Sequence, residues 1–196
     1  MERTGSAPPT IGRYTWQDFI ALPDEDRREL IDGHLVETEV PTGIHEWIVA
    51  MLVRLLGTWA MEHRAGVVFA SGYKIKIRDD RGFMPDVQFL RRGGRPIPNQ
   101  GLDSGAPDLA IEVVSPGRGR YYRIVKLGGY AAIGVPEYWI VDPERQTLEC
   151  LTLDGPASYR IAVMLANEAT FEPASFPGLR IGLGELWQLP DWFQNS

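Results

Sequence analysis

The chain has 196 residues, 44% apolar and 23% charged, which suits one globular domain with a sizeable core rather than two. Its one cysteine, Cys150, excludes an internal disulfide framework and favours a reducing cytoplasm. The net charge of −6 argues against a nucleic-acid partner, but residues 71–130 carry 11 Lys or Arg against 6 Asp or Glu, while the remainder carries 9 against 20. A basic centre in an acidic chain is compatible with a local phosphate-binding surface. Cys150 stands between Leu148 and Leu151 and reads as a core residue rather than a nucleophile. No apolar signal core opens the chain, and no uncharged apolar run approaches a membrane span.

Residues 1–13, rich in Gly, Ser, Pro and Thr, read as a flexible leader, and residues 14–190 as one domain. Thr15 opens a short helix, with Asp18 as its capping-box partner and Pro23 ending it. Two short runs around Asp32-Gly33 predict a hairpin, because both turn positions of a type I′ turn need positive φ. After Pro41-Thr42-Gly43, the apolar spacing of Ile44, Ile48, Met51, Leu52, Leu55, Leu56 and Trp59 predicts a helix from His45 to His63. Val67–Ala70 begins a strand that Ser71-Gly72 turns or bulges, and Tyr73–Ile77 alternates as a half-exposed strand does. Pro85–Leu90 is a further strand, and residues 91–106 form a long loop. Then come a strand over 108–114, a helix from Arg120 to Ile133, and a strand from Glu137 to Val141. Strands near 146–153, 158–164 and 169–171 and a short helix over 183–187 complete the chain. The order helix, three strands, helix, strand predicts a mixed α/β sheet covered by helices.

Glu112 is the unexpected residue. It sits inside the apolar run Leu109–Val114, where an isolated charge is costly, so it must be paired, protonated or bound to a metal. Asp108 shares its face but lies roughly 13 Å away along the strand, too far to share an ion directly, and is expected at the strand entrance in a structural role. Asp86, on the preceding strand, comes beside Glu112 if the two strands pair. Two carboxylates on neighbouring strands suit Mg²⁺ or Mn²⁺, and an ion so held activates water and stabilises charge on a phosphate. Lys126, on the following helix, is placed to point back to the same face and orient that water or neutralise the phosphate. No Cys/His cluster has zinc spacing, and there is no phosphate loop, dinucleotide fingerprint or Gly-x-Ser-x-Gly elbow.

The ordered set Glu29-Leu-Ile-Asp-Gly-His-Leu-Val, Pro41-Thr-Gly-Ile-His45, Met-Pro-Asp86-Val, Pro-Asp108-Leu-Ala-Ile-Glu112-Val-Val-Ser-Pro, Lys126 with Tyr130 and Gly134-Val135, and Glu-Tyr-Trp-Ile-Val-Asp-Pro143 resembles the Uma-two family of restriction endonucleases. That family falls in the PD-(D/E)XK nuclease superfamily, and the resemblance runs from about Tyr14 to Leu186. It implies a restriction-endonuclease-like core with an N-terminal hairpin and C-terminal strands, and Mg²⁺- or Mn²⁺-dependent hydrolysis of DNA phosphodiesters. It implies metal ligands at Asp86 and Glu112 and at the Val113 carbonyl. The superfamily lysine, absent at Val114, matches Lys126, while Glu29 and His45 match recurring polar positions. Glu29 is grouped with the catalytic residues, and His45 is left without an assigned role, reading most simply as a cap or a packed polar residue. Where relatives carry Asp four residues before the lysine, this chain has Tyr122, which leaves open an alternative: a nuclease-fold module that binds nucleic acid or protein without cutting. Lys74, Lys76, Arg118, Arg120 and Arg123 are the expected phosphate contacts, and a homodimer is expected from the superfamily's habit of pairing to cut two strands.

Overall fold

The computed structural model describes residues 12–23, 25–38, 40–93, 97–99, 101–117, 119–190 and 193. Local chemistry starts the N-terminal elements. Helix α1 (Trp16–Ile20) is closed by a capping box: Asp18 N donates to Thr15 Oγ1 and Thr15 N donates to Asp18 Oδ2 at 2.8 Å. Strands β1 (Glu29–Ile31) and β2 (His34–Val36) flank Asp32 and Gly33, whose φ angles of 49° and 75° are those of the predicted turn. Gly12 N and Tyr14 N donate to Asp32 O and Gly33 O, so the end of the expected leader is docked on this turn. Residues 1–11 lie outside the described residues.

Helix α2 (Gly43–Glu62) begins two residues before the predicted start, because Thr42 is its cap and accepts from His45 N at 3.3 Å. By length and composition alone α2 is apolar enough to cross a membrane, but it carries Glu46, Arg54 and Glu62, so it is not the uncharged apolar run that the sequence was expected to lack. Its Ile48, Leu52, Leu56 and Trp59 are buried in the protein core.

The following strands are β3 (Gly66–Ala70), β4 (Lys74–Arg78), β5 (Arg81–Phe83), β6 (Val87–Arg91), β7 (Gly101–Leu102) and β8 (Leu109–Val113). A broken helix crosses over next: α3 (Gly119–Tyr121), a π-helical turn (Tyr122–Lys126) and α4 (Leu127–Ala132). After it come β9 (Glu137–Asp142), β10 (Thr147–Leu153), β11 (Tyr159–Ala166), β12 (Thr170–Phe171), β13 (Ile181–Gly182) and α5 (Gly184–Trp187). Six strands form the main sheet in the order β11-β10-β9-β8-β6-β3, in which β8 and β9, joined by the crossover helix, are the parallel pair. The second sheet runs β2-β1-β5-β4-β7, and β12 pairs with β13.

The fold is the predicted mixed α/β core, with one redistribution. Of the turn or bulge expected at Ser71-Gly72, the chain takes the turn: it leaves the main sheet after β3, passes Gly72 at φ 106°, and enters the second sheet as β4. The three core strands before the crossover are therefore β3, β6 and β8. One face of the main sheet packs α2 with Phe89, Trp139, Phe171 and Phe176; the other packs Phe83, Tyr130, Val135 and Tyr138. Leu109, Ile111 and Val113 enter the first cluster, Ala110 and Val114 the second. Strand alternation thus aims Glu112 at the crossover helix and the second sheet.

Candidate active site

The pairing of β6 with β8 sets Val87 opposite Ile111, so Asp86, one residue earlier, falls level with Glu112 just beyond the end of β6. There the Asp86 side chain takes over the edge that β6 vacates: Val113 N donates to Asp86 Oδ2 at 2.8 Å. Val114 N donates to Val141 O on the β9 side. Alternation then turns both the N–H and the C=O of Val113 toward Asp86. His45 Nε2 lies 3.3 Å from Asp86 Oδ2, while His45 Nδ1 is buried without a hydrogen bond, 3.6 Å from Glu46 Oε1. Burial alone would lower the imidazole's pKa; Asp86 outweighs it, with Glu46 and Glu112 adding, and His45 titrates above its ordinary value. Of the two places expected for His45, the cap does not hold, since Thr42 caps the helix, while His45 is a buried polar residue packed beside Asp86.

Glu112 finds its partners on the crossover helix and the hairpin. Its Oε1 accepts from Lys126 Nζ at 2.9 Å and from the Tyr130 hydroxyl. Lys126 Nζ also lies 2.5 Å from Glu29 Oε1 on β1, which accepts from Met84 N at 2.8 Å; Glu29 Oε2 accepts from the Tyr121 hydroxyl at 2.8 Å. Glu29, Glu112 and Lys126 are each only 2% exposed. Burial pushes the Glu112 carboxyl up to about 8; Lys126 pulls it down, and Asp86 and Glu29 add to the rise. Burial likewise opposes the charge on Lys126, but Glu112 and Glu29 prevail and hold its pKa well above the usual lysine value. Lys126 is thus buried inside the site, and its ammonium sits 4.9 Å from the buried Phe83 ring.

The π-turn explains how a helix that also carries Arg123 and Tyr122 delivers Lys126 inward. Leu127 N reaches Tyr122 O, one residue farther than an α-helix would close, and Tyr138 on β9 donates its hydroxyl to the same carbonyl at 3.3 Å. Tyr122 lines the cleft, and burial pushes its phenol up to about 12.

Asp86, Glu112, Lys126, Glu29 and His45 line one cleft of about 380 Å³, together with Arg27, Glu37, Glu46, Ser71, Ser115, Tyr121 and Tyr122. Carboxylates outnumber cations along it, so the cleft favours a cation over a bare phosphate chain. Among the described residues no cluster of three or more His, Cys, Asp or Glu side chains is arranged to hold a metal. Two carboxylates and a carbonyl remain. Asp86 Oδ1 and Glu112 Oε2 make no hydrogen bond among the described residues, and both residues line the cleft. With Val113 O facing the same edge, this all-oxygen set fits a hard divalent ion.

The expected phosphate contacts do not gather here. Lys74 is buried, donating from Nζ to Phe19 O at 2.9 Å and Leu22 O at 3.4 Å, where it satisfies carbonyls around the end of α1. Lys76 pairs with Asp79 at 2.6 Å across the β4–β5 turn. Arg123 turns to the sheet and pairs with Glu149, with Asp142 at 3.8 Å. Arg118 and the Arg120 side chain lie outside the described residues. Asp108 accepts from Arg91 N at 2.7 Å, in keeping with a structural place at the strand entrance. Sequence reasoning missed the hydroxyls of Tyr121 and Tyr130 as partners of the carboxylates. The spacing of Tyr130 four residues after Lys126 was the available signal for the second; Tyr121 offered none.

A mixed sheet whose parallel pair is joined by a crossover helix, with carboxylates meeting where β6 ends and β8 continues, defines a restriction-endonuclease-like nuclease fold. A solved structure titled as a "putative nuclease belonging to DUF820" from Anabaena variabilis ATCC 29413 has the same fold, with a TM-score of 0.69 at 21% identity over 88% of this chain and 97% of that one. The family model Uma2, described as "Putative restriction endonuclease", matches residues 16–184, and the chain belongs to that family. No curated protein matches it.

Proposed function

We propose that this chain is a divalent-metal-dependent endonuclease that hydrolyses DNA phosphodiesters. The carrying observation is the meeting of Asp86 and Glu112 with Lys126 at the floor of one cleft. Asp86, Glu112 and the Val113 carbonyl would hold Mg²⁺ or Mn²⁺, which when bound polarises water and a phosphate oxygen. His45 and Val113 N hold the Asp86 carboxylate toward the edge it shares with Glu112. Lys126 keeps its proton between two carboxylates, so its part is electrostatic, stabilising negative charge on the phosphate, rather than that of a general base. Glu29 supplies the carboxylate for Lys126 that Tyr122 does not, which favours cutting over a module that only binds.

The test is incubation of the purified protein with single- and double-stranded DNA in Mg²⁺ or Mn²⁺. Cleavage that Asp86→Asn and Glu112→Gln each abolish supports the reading; cleavage that survives both removes it.

A further inference from the structure

Arg123 is outside the cleft, yet it is the only charged side chain that the π-turn contributes besides Lys126. It pairs with Glu149 on β10, a carboxylate as buried as His45, and reaches the buried Asp142 on β9 at 3.8 Å. Lys126, three residues later, reaches in a different direction, to β8 and β1. An α-helix keeps positions three apart within about 60° of each other around its axis, too close to serve both sides well. The wider π-turn separates them. A π-turn is the rarer hydrogen-bonding pattern, so it needs its surroundings to favour it over a continuous α-helix. Two groups on the sheet do so: the Tyr138 hydroxyl on the Tyr122 carbonyl, and the carboxylates that grip Arg123.

We propose that Arg123 is a positioning residue: its grip on Glu149 and Asp142 keeps the Tyr122–Lys126 segment π-helical, and so keeps the Lys126 ammonium between Glu29 and Glu112. The inference concerns the site assigned above and rests on that reading only for its effect on turnover. Arg145 supplies an internal control. It pairs with the same Asp142 at 3.4 Å but follows β9 and belongs to no part of the crossover helix.

The chain has three lysines, Lys74, Lys76 and Lys126, which makes the test direct. Lys74 is buried elsewhere and reports global opening; Lys76 is part-exposed and reports reagent strength. The full chain is treated with a limiting acylating reagent, and each lysine is quantified by peptide mass spectrometry. Arg123→Gln and Glu149→Gln are expected to raise Lys126 labelling relative to Lys74 by about tenfold, the factor carried by one charged hydrogen bond. Arg123→Lys restores part of the protection, and Arg145→Gln leaves it unchanged. Lys126 and Lys74 rising together, or neither rising, overturns the proposal. If the wild type cleaves DNA, Arg123→Gln lowers kcat and leaves KM near its original value. If the wild type does not cleave, the nuclease reading fails, while the labelling ratio still decides the role of Arg123.

Discussion

Lys126 Nζ lies 2.5 Å from Glu29 Oε1, although 97 residues separate the two in the chain. The contact ties the N-terminal hairpin to the crossover helix at a depth where neither charge meets solvent. Removing one partner of such a pair leaves an uncompensated buried charge, at a cost of about 3–5 kcal/mol. Lys126→Met is therefore expected to lower unfolding free energy by that order, since it leaves Glu29 and Glu112 facing each other. Adding Glu29→Gln to it removes one of the stranded carboxylates and recovers part of the loss. Urea denaturation of the two single variants and the double checks this. A double variant no more stable than Lys126→Met alone shows that the two groups do not act as a pair.

The same depth makes stability depend on pH. Burial pushes the Glu112 carboxyl up to about 8 in the folded protein, well above the ordinary carboxylate range near 4.5. Across that window the folded chain keeps a proton that the unfolded chain releases, so stability falls as pH rises from about 4.5 to 8. His45 adds the same sign, because its raised pKa contributes stability that is complete below its unfolded value and lost as pH climbs through the folded one. Denaturation at pH 5, 6.5 and 8 is expected to give a steady decline. Glu112→Gln should flatten most of it; an unchanged slope in that variant assigns the dependence to other groups.

How much of this was legible in the sequence follows from how local each signal is. Thr15 and the Asp32-Gly33 turn act over three or four residues, and each sits where its chemistry predicts. The meeting of Asp86 and Glu112 needed only the guess that their strands are neighbours, since alternation does the rest. What escaped was non-local. The strands β5, β7 and β13 are two or three residues long and carry no period to detect. The π-turn leaves no composition signature, yet it decides that Lys126 and Arg123 both point inward. Lys74, Lys76 and Arg123 looked like free cations because charge counts do not reveal that carbonyls or carboxylates from other elements already meet them. In the same way, Tyr122 suggested an unsupported lysine, because Glu29 is distant in sequence and adjacent in space.

Metal binding provides a third expectation, independent of cleavage. An ion held by Asp86 and Glu112 needs Glu112 without its proton, so affinity for Mn²⁺ rises with pH toward and past about 8. Titration calorimetry at pH 6 and pH 8 should record tighter binding at the higher value, with protons released. Asp86→Asn and Glu112→Gln should each weaken it by roughly tenfold to a hundredfold or more, at least the loss expected for disturbing a metal ligand's surroundings. Mn²⁺ should also raise the melting temperature of the wild type and not of the variants. Equal affinity in Asp86→Asn and the wild type removes Asp86 from the ligand set.

Two adjacent glycines in α4 make a matched pair of opposite sign. A Cβ on Gly128 meets nothing within 4 Å, and the residue is exposed, so Gly128→Ala gains helix propensity and stabilises by up to about 1 kcal/mol. A Cβ on Gly129 falls 2.3 Å from Phe83 Cε2. The Phe83 ring has little room to withdraw: it is fully buried, packs edge-on against Tyr130 at 5.5 Å, and carries the Lys126 ammonium 4.9 Å from its centroid. Gly129→Ala therefore overpacks the wall behind the site, and the expected loss of about 1–3 kcal/mol outweighs the same propensity gain. Because the displaced ring lies against both Lys126 and Tyr130, the variant should also disturb the two donors to Glu112. Its pH dependence of stability should then differ from wild type, while that of Gly128→Ala should not. Chemical denaturation across the pH range measures both effects. A stabilised Gly129→Ala protein would mean that Phe83 moves freely, and that the support behind Lys126 is looser than its packing indicates.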